Sequence, residues 1–215
     1  MADSWFHFTK AVVRRVSSRF AEGSLKLEEP EEAISLTKAK EQWTNYVAAL
    51  KGLGLEIIEI EADDKSPDCV FIEDAAVVCD DTALITRPGH ASRRGETVAV
   101  RKTLEKLGLK IIDMTDPALL DGGDVLFTGQ ELFVGLTSRT NKEGVESLAK
   151  AFPKYPVTAI DMAEEGNVFL PSKTTFPNLN PLTSIDCTLR RLSVSSIVPT
   201  IQLAVRKGQF MHFSC

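Results

Sequence analysis

One short stretch of this chain occurs twice, first as Leu53-Gly54-Leu55-Glu56-Ile57-Ile58-Glu59 and later as Leu107-Gly108-Leu109-Lys110-Ile111-Ile112-Asp113. Each copy follows a stretch with helical character, and its glycine fits the position after a helix end, where a positive φ is needed. The isoleucines that come next favour a β-strand. The chain therefore repeats a unit of helix and strand, and this repeat predicts an α/β fold.

The segments that follow the two strands are also alike. An acidic segment comes first, Glu73-Asp74 in one copy and Asp121-Gly122-Gly123-Asp124 in the other. Two short apolar runs separated by turn residues come next, which is the pattern of a β-hairpin. The predicted hairpin strands are Ala76–Cys79 with Ala83–Thr86, and Val125–Phe127 with Leu132–Leu136.

The helices of the first two copies are predicted at Glu31–Leu53 and Arg93–Leu107. A third copy begins at Asn141, which can cap a helix that runs to about Phe152. A strand over Tyr155–Asp161 follows this helix. A polar segment and a hairpin should come next, but the character of the chain changes near residue 165.

The region 166–215 differs from the region 1–165 in charge and composition. It holds one acid, Asp186, against five Lys and Arg residues, and proline, serine and threonine are frequent. A linker, a targeting element or a small second domain would fit this composition. We favour a divergent tail that does not continue the repeated fold, such as alternative splicing would produce, with disorder as one of its states.

The composition is that of an ordinary soluble globular protein, with 43% hydrophobic and 26% charged residues in a chain of 215. The net charge of −5 argues against nucleic-acid binding, and no run approaches the roughly 18 apolar residues of a membrane span. The four cysteines show neither metal-ligand spacing nor a dense disulfide framework. We therefore expect a cytoplasmic protein with reduced thiols and with no metal or cofactor. The sequence does not indicate an oligomeric state.

The first acidic pair, Glu73 and Asp74, stands inside the apolar run Cys69–Val78, which predicts a buried strand. An unpaired buried carboxylate costs several kcal/mol, so the pair requires a cation or hydrogen-bond donors. The cation could belong to an internal arginine or lysine, or to a ligand. A structural ion pair or a sharp turn between two strands is the alternative.

Repeats arranged around an axis would bring the acidic segments together. Basic residues follow the hairpins, and acids opposite arginines suit a zwitterionic ligand with a guanidinium or ammonium group and a carboxylate. The alternatives are a plain turn at Asp121–Asp124, a strand end and helix cap at Arg139–Asn141, and a solvated helix start at Arg93-Arg94. The predicted cavity residues are Asp68, Glu73, Asp74 and Asp121, with Arg93, Arg94 and Arg139 as the basic residues.

Four strings of this sequence closely resemble dimethylarginine dimethylaminohydrolase: Asp68–Asp74, Thr82–Gly89, Leu120–Gly129 and Phe133–Asn141. The resemblance covers roughly Phe6 to Met162. It implies the fold of the guanidine-modifying (pentein) superfamily, an α/β-propeller of five ββαβ modules around a central site. On this basis the chain is a partial α/β-propeller, with about three of the five modules in 1–165 and a non-family tail in 166–215.

The resemblance also implies a reaction and roles for the acids. Family members hydrolyse Nω-methylated arginine to citrulline and a methylamine, with a cysteine thiolate as nucleophile and a histidine as general acid and base. Glu73 and Asp74 would hold the guanidinium group of this small-molecule substrate. Asp68 would line the same pocket, and Asp121 would orient the polar network.

The remaining roles concern the amino-acid end of the substrate. By the same resemblance, Arg93 and Arg139 would bind near its carboxylate. Leu25 matches a lid position that closes over the substrate, although an exposed leucine needs no functional explanation.

The family's catalytic pair is not matched in this chain. The histidine belongs after the third helix and strand, where this sequence reads Glu164–Leu170 without a histidine. The three histidines stand elsewhere, at His7, His90 and His212, and Cys215 lacks the surroundings of the family's nucleophile. We therefore expect an inactive, truncated isoform, because loss of a nucleophile or its partner lowers the rate by orders of magnitude.

Two other functions stay open at this point. One is a non-catalytic module that binds methylarginine or a protein partner. The other is a different guanidine-modifying hydrolase such as an arginine deiminase. An active member of the family would lower methylarginine, an inhibitor of nitric-oxide synthesis.

Overall fold

The computed structural model describes residues 8–26 and 32–162, together with two short strands at 204–206 and 209–211. The helices are α1 (Phe20–Gly23), α2 (Leu36–Gly52), α3 (Thr97–Lys106) and α4 (Lys142–Ala151). The strands are β1 (Phe8–Arg14), β2 (Glu56–Ile60), β3 (Ala76–Cys79), β4 (Thr82–Ile85), β5 (Lys110–Asp113), β6 (Val125–Phe127), β7 (Leu132–Leu136), β8 (Val157–Asp161), β9 (Ala204–Arg206) and β10 (Gln209–Met211).

The predicted repeat is present as two three-stranded sheets of the same design. In the first, β3 and β4 form an antiparallel hairpin, α3 crosses over, and β5 pairs parallel to β4. In the second, β6 and β7 form the hairpin, α4 crosses over, and β8 pairs parallel to β7. The hairpin predictions are therefore confirmed, and the fold is mixed α/β with open sheets.

A third sheet has the strand order β10-β9-β1-β2. Strand β1 pairs parallel to β2 across α2, and β9 pairs antiparallel to β1. Strand β9 thus holds the place that β3 and β6 hold in the other two sheets. Both β9 and β10 come from the predicted tail 166–215, and the domain boundary at 165 stays a prediction.

Strand β3 separates two hydrophobic cores. Ala76 and Val78 pack into the first core with residues of β1, β2 and α3, whereas Val77 and Cys79 pack into the second with residues of β6, β7 and α4. Successive side chains of a strand point to opposite faces, so a strand between two cores is apolar throughout. This explains why β3 itself lacks hydrophobic alternation.

The prediction of a strand over the whole run Cys69–Val78 is wrong for its first part. Residues Pro67–Val70 and Ile72–Ala75 form two 3₁₀ turns, and the strand begins only at Ala76. The apolar residues of these turns are buried by packing rather than by strand pairing, as Ile72 shows in the first core. Burial was thus correctly predicted, and the backbone conformation was not.

Helix ends follow local chemistry closely. Gly54 and Gly108 have φ of 83° and 85°, which confirms their predicted positions after α2 and α3. Asn141 caps α4, because its side chain accepts a hydrogen bond from Gly144 N at 2.8 Å. The predicted start of the first helix at Glu31 is wrong, since α2 begins at Leu36 with Ser35 as its N-cap.

The helix predicted from Arg93 also begins later than expected. A 3₁₀ helix occupies Ala91–Glu96, and the α-helical part starts at Thr97. Within the part of the chain that the structure describes, no helix is long and apolar enough to cross a membrane.

Candidate functional site

The acidic pair lies in the 3₁₀ turn that leads into β3. Glu73 is 5% exposed, and burial together with the neighbouring charge of Asp74 raises the pKa of its carboxyl well above the ordinary value. The side chain of Asp74 is 17% exposed. Two adjacent carboxyl groups are thus held where solvent cannot stabilise both as anions.

Asp74 is the point at which the two repeats meet. Its Oδ1 accepts a hydrogen bond from Gly123 N of the second repeat at 2.9 Å, and its Oδ2 accepts one from Arg93 Nη1. The main-chain carbonyl of Asp74 accepts from Thr86 Oγ1 at 2.5 Å. The predicted convergence of the two acidic segments is therefore present in the structure.

The Gly-Gly-Asp turn of the second repeat packs directly on the first acidic segment. A Cβ atom on Gly122 would lie 2.2 Å from the carbonyl oxygen of Glu73, and one on Gly123 would lie 2.6 Å from Asp74 Oδ1. Because the atom that faces Gly122 belongs to the main chain, only glycine permits the approach at that position. The segment 121–124 is a turn, as the alternative interpretation held. It also packs against Glu73 and Asp74 and so forms one side of the acidic cluster.

Asp121 is buried on the other side of this turn. Its Oδ1 accepts from Gly89 N at 2.9 Å, and its Oδ2 accepts from Arg139 Nη1 at 3.3 Å. Burial, with the charge of Asp74 as the next contribution, raises the pKa of Asp121. A Cβ atom on Gly89 would lie 2.4 Å from Arg139 Cα, so the backbone at Gly89 packs directly against that of Arg139.

Asp124 belongs to the same network although sequence reasoning gave it no role. Its Oδ2 accepts hydrogen bonds from Thr137 Oγ1 at 2.9 Å and from Thr140 Oγ1 at 2.5 Å. Thr140 Oγ1 in turn accepts from Asp121 N at 3.1 Å. Burial raises the pKa of Asp124. The position of Asp124 in the acidic segment of the second repeat was the sequence signal that could have indicated this role.

Asp68 connects the acidic cluster to the segment that follows α1. Its buried carboxylate accepts hydrogen bonds from Leu25 N at 3.0 and 3.3 Å. Leu25 itself is 39% exposed. The structure thus brings Leu25 and Asp68 together through the backbone of that segment.

Arg93 is 4% exposed and directs its guanidinium inward. It donates to Asp74 and to Glu96, and also to the carbonyl oxygens of Asp68 and Phe71 at 3.3 and 3.2 Å. The predicted contact of Arg93 with a ligand carboxylate therefore stays a prediction. Arg139, with 31% of its side chain exposed, is the more accessible of the two predicted arginines.

Glu96 is the main site-adjacent residue that sequence reasoning missed. It is buried, and burial raises the pKa of its carboxyl to about 7 against the opposing effect of Arg93. The three-residue spacing from Arg93 was a usable signal, because side chains three apart are neighbours in both an α-helix and a 3₁₀ helix. Arg94, by contrast, donates to the carbonyl oxygen of Pro88 at 3.2 Å and does not join the network.

The described residues offer no nucleophile of the expected kind. Cys69 and Cys79 are buried free thiols whose pKa values are raised by burial, which disfavours the reactive thiolate. His90 is exposed and shares a 2.7 Å hydrogen bond with Ser92 Oγ. His7, His212, Cys215 and the segment Glu164–Leu170 lie outside the described residues. Across 8–26 and 32–162, no group of three or more His, Cys, Asp or Glu residues could hold a metal ion.

The cluster as a whole is rich in acids and poor in bases. Arg93 and Arg139 are already paired with carboxylates of the cluster, and the acids outnumber these two arginines. Buried carboxylates with raised pKa values favour the arrival of a cation, because a cation stabilises their charged form. A planar guanidinium matches adjacent carboxylates with charge-assisted hydrogen bonds. The acids of the cluster with raised pKa values are Glu73, Glu96 and Asp121. Asp68 and Asp74 complete the cluster.

This mixed α/β fold matches solved structures of dimethylarginine dimethylaminohydrolase and of an arginine dihydrolase. The structure of dimethylarginine dimethylaminohydrolase from Pseudomonas aeruginosa in complex with citrulline has a TM-score of 0.67 and is 29% identical in sequence. The match covers 74% of this chain and 63% of that chain. A cyanobacterial arginine dihydrolase of the ornithine–ammonia cycle, at 19% identity and a TM-score of 0.59, shows a similarity of fold alone.

Sequence comparison narrows these matches to one family. The family model for N,N dimethylarginine dimethylhydrolase, eukaryotic, matches residues 18–173. The N(G),N(G)-dimethylarginine dimethylaminohydrolase of Streptomyces coelicolor is 41% identical over 183 residues, which cover 82% of this chain and 70% of that protein. The chain belongs to the dimethylarginine dimethylaminohydrolase family, as its sequence motifs predicted.

A human relative described as putative hydrolase DDAH2 is also 41% identical, over 133 residues. That match covers 61% of this chain and 47% of the human protein. The chain thus spans about half the length of the human relative and less than two thirds of the Pseudomonas structure.

Proposed function

We propose that this protein binds the guanidinium group of methylated arginine at Glu73 and Asp74. The observation that carries the proposal is the convergence of both repeats on Asp74, with Glu73 buried beside it. A cation that enters there would meet two carboxyl groups whose charges have little solvent around them, so the electrostatic attraction would be strong. The names of the bacterial relatives support methylated arginine as the cation.

The other site residues take their proposed roles from the family resemblance. Asp68 would line the pocket and hold the loop of Leu25, which would act as the lid. Asp121 would orient the network beneath the guanidinium. Arg139 would bind near the ligand's carboxylate, since part of its side chain is exposed and its bond to Asp121 is long at 3.3 Å. Arg93 would reach the carboxylate only by leaving Asp74.

We propose that binding occurs without hydrolysis. In the family the reaction needs a histidine after the third helix and strand, and Glu164–Leu170 supplies none. Binding and hydrolysis are separable, because a pocket can retain its affinity for a ligand after the groups that transfer protons are lost. Hydrolysis of methylarginine, and through its removal an effect on nitric-oxide synthesis in the cytoplasm, would require a chain that carries these groups.

We also propose that the three sheets correspond to three modules of the five-module α/β-propeller of the family. The shared ββαβ order of the two complete repeats and the equivalent place of β9 in the third sheet support this arrangement. An arginine deiminase-like activity is less well supported. The arginine dihydrolase structures are 19–20% identical, whereas the Streptomyces N(G),N(G)-dimethylarginine dimethylaminohydrolase is 41% identical.

Isothermal titration calorimetry of the purified chain with asymmetric dimethylarginine tests the proposal. We expect binding that is lost in Glu73→Gln and retained in Glu105→Gln, a matched change at an exposed carboxylate of α3. The absence of heat at millimolar ligand would contradict binding. A parallel assay for citrulline tests the second part, and release from the wild-type chain would show that hydrolysis occurs.

A further inference from the structure

The carboxylate of Glu96 accepts hydrogen bonds along one edge of the Arg93 guanidinium. Its Oε2 accepts from Arg93 Nε at 3.1 Å and from Nη2 at 2.9 Å, and its Oε1 accepts from Nε at 3.3 Å. Both residues lie in the 3₁₀ helix Ala91–Glu96, which has three residues per turn and so aligns their side chains. The pair is shielded from water, with side chains 5% and 4% exposed.

Because Glu96 binds Nε and Nη2, the remaining guanidinium nitrogen, Nη1, points at Asp74. Nη1 donates to Asp74 Oδ2, while Nη2 also donates to the carbonyl oxygens of Asp68 and Phe71. Because a guanidinium is a rigid plane, contacts on one edge fix the direction of the opposite nitrogen. Rotation of Arg93 away from Asp74 would break several buried hydrogen bonds.

Glu96 is itself fixed to the first sheet. Its carbonyl oxygen accepts from Nη1 of the buried Arg14 of β1 at 3.0 Å, and Arg14 Nε donates to the carbonyl oxygen of Glu61 at 3.1 Å. The chain of contacts therefore runs from β1 through Glu96 and Arg93 to Asp74. Each member except Asp74 is nearly inaccessible to a ligand.

We propose that Glu96 is a positioning residue that fixes the Asp74 carboxylate through Arg93. Its effect on ligand affinity rests on the proposed function, whereas its effect on Asp74 does not. A buried ion pair is by itself weak grounds for a role, since such a pair can be neutral for stability. Here the arginine is shared between two carboxylates, so Asp74 keeps part of its negative charge available for a cation. An arginine held by Asp74 alone would neutralise it more fully.

The amide of Gly123 reports on Asp74 without any ligand, because it donates to Asp74 Oδ1. We compare amide hydrogen exchange by NMR in the wild type, Glu96→Gln and Glu105→Gln, with the Gly144 amide as an internal reference. Gly144 N is held by the Asn141 cap, away from Glu96. We expect exchange at Gly123 to rise about tenfold or more in Glu96→Gln only, as for loss of a hydrogen bond to a charged group. An equal rise at Gly144, or no rise at Gly123, would overturn the proposal.

Ligand binding gives the second readout. Asymmetric dimethylarginine and 1,1-dimethylguanidine share the guanidinium group, and only the first has an amino-acid end. We expect Glu96→Gln to weaken binding of both by a similar factor, about tenfold. Weakening of dimethylarginine alone would mean that Arg93 acts on the ligand carboxylate and would overturn the proposal. If the wild type binds neither compound, the proposed function fails, and exchange at Gly123 still decides the role of Glu96.

Discussion

Gly122 lies so close to Glu73 that a Cβ atom on it would fall 2.2 Å from the Glu73 carbonyl oxygen and 3.3 Å from that of Ala76. The contact joins the turn of the second repeat to the acidic segment of the first. Both sides of the contact are backbone, which cannot move aside as a flexible side chain can. The distance between the two acidic segments is therefore fixed by the absence of a side chain at Gly122.

Replacing Gly122 with alanine is expected to damage stability and binding together. The added methyl group must push two main-chain segments apart, and overpacking of this kind costs about 1–3 kcal/mol or more. Urea unfolding measures the loss of stability, and calorimetry with asymmetric dimethylarginine measures the loss of binding. Gly52→Ala is the control, because a Cβ atom there meets nothing within 4 Å. Equal stability of the two variants would contradict the close approach.

The pH dependence of stability is expected to have an unusual sign. The pKa of Glu96 is raised from 4.5 to about 7 in the folded protein, and those of Glu73, Asp121 and Asp124 are also raised, in each case chiefly by burial. Between the unfolded and folded values the folded state holds more protons than the unfolded state. The free energy of unfolding must then fall as pH rises through that window.

Urea unfolding between pH 4.5 and 7.5 measures this slope. We expect the wild type to lose stability as pH rises and Glu73→Gln to lose less, because the glutamine cannot ionise. The same substitution at the exposed Glu105 should leave the slope unchanged, since its side chain is 60% exposed. Parallel curves for the wild type and Glu73→Gln would show that Glu73 does not carry the effect.

Much of the fold could be predicted because local signals agree with it. The glycines at 54 and 108, the Asn141 cap and both hairpins each follow from a short stretch of sequence. The 3₁₀ turns around Glu73 could not be predicted in this way. Their apolar composition reflects burial under neighbouring elements. A buried strand and a buried turn can both have such an apolar run, so the run does not reveal the backbone conformation.

Some contacts of the candidate site could likewise be predicted from the sequence, and others could not. The convergence of Asp74 and the Gly-Gly-Asp turn could be expected, since both follow equivalent strands of a repeat. The inward direction of Arg93 could not, because it depends on Glu96 and on carbonyl groups of a distant turn. A contact between a side chain of one short helix and the backbone of another segment produces no periodic pattern in the sequence.

Asn141 is expected to contribute more to stability than an ordinary helix cap. Its Oδ1 accepts from Gly144 N and from Leu119 N, both at 2.8 Å, and its Nδ2 donates to the Pro117 carbonyl oxygen at 3.0 Å. Loss of a cap alone costs about 0.5–2 kcal/mol, and the additional loop contacts should place Asn141→Ala at or above the upper end. Ser35→Ala removes a cap with one exposed 3.3 Å hydrogen bond and serves as the comparison. Equal losses in thermal unfolding would contradict the loop-anchoring role.

Replacement of Arg139 tests whether this residue binds the amino-acid end of the ligand or its guanidinium end. Part of its side chain is exposed, and its guanidinium is paired with Asp121 at 3.3 Å, so this group can turn to a carboxylate at little cost. We expect Arg139→Ala to weaken binding of asymmetric dimethylarginine by about 1.5–3 kcal/mol, as for loss of a hydrogen bond to a charged group. Binding of 1,1-dimethylguanidine should change little, because that compound has no carboxylate. Arg101→Ala, which removes an exposed arginine paired with Asp113 and Glu105, is the control for net charge. Equal weakening of both ligands by Arg139→Ala would place the residue with the acidic cluster rather than with the amino-acid end.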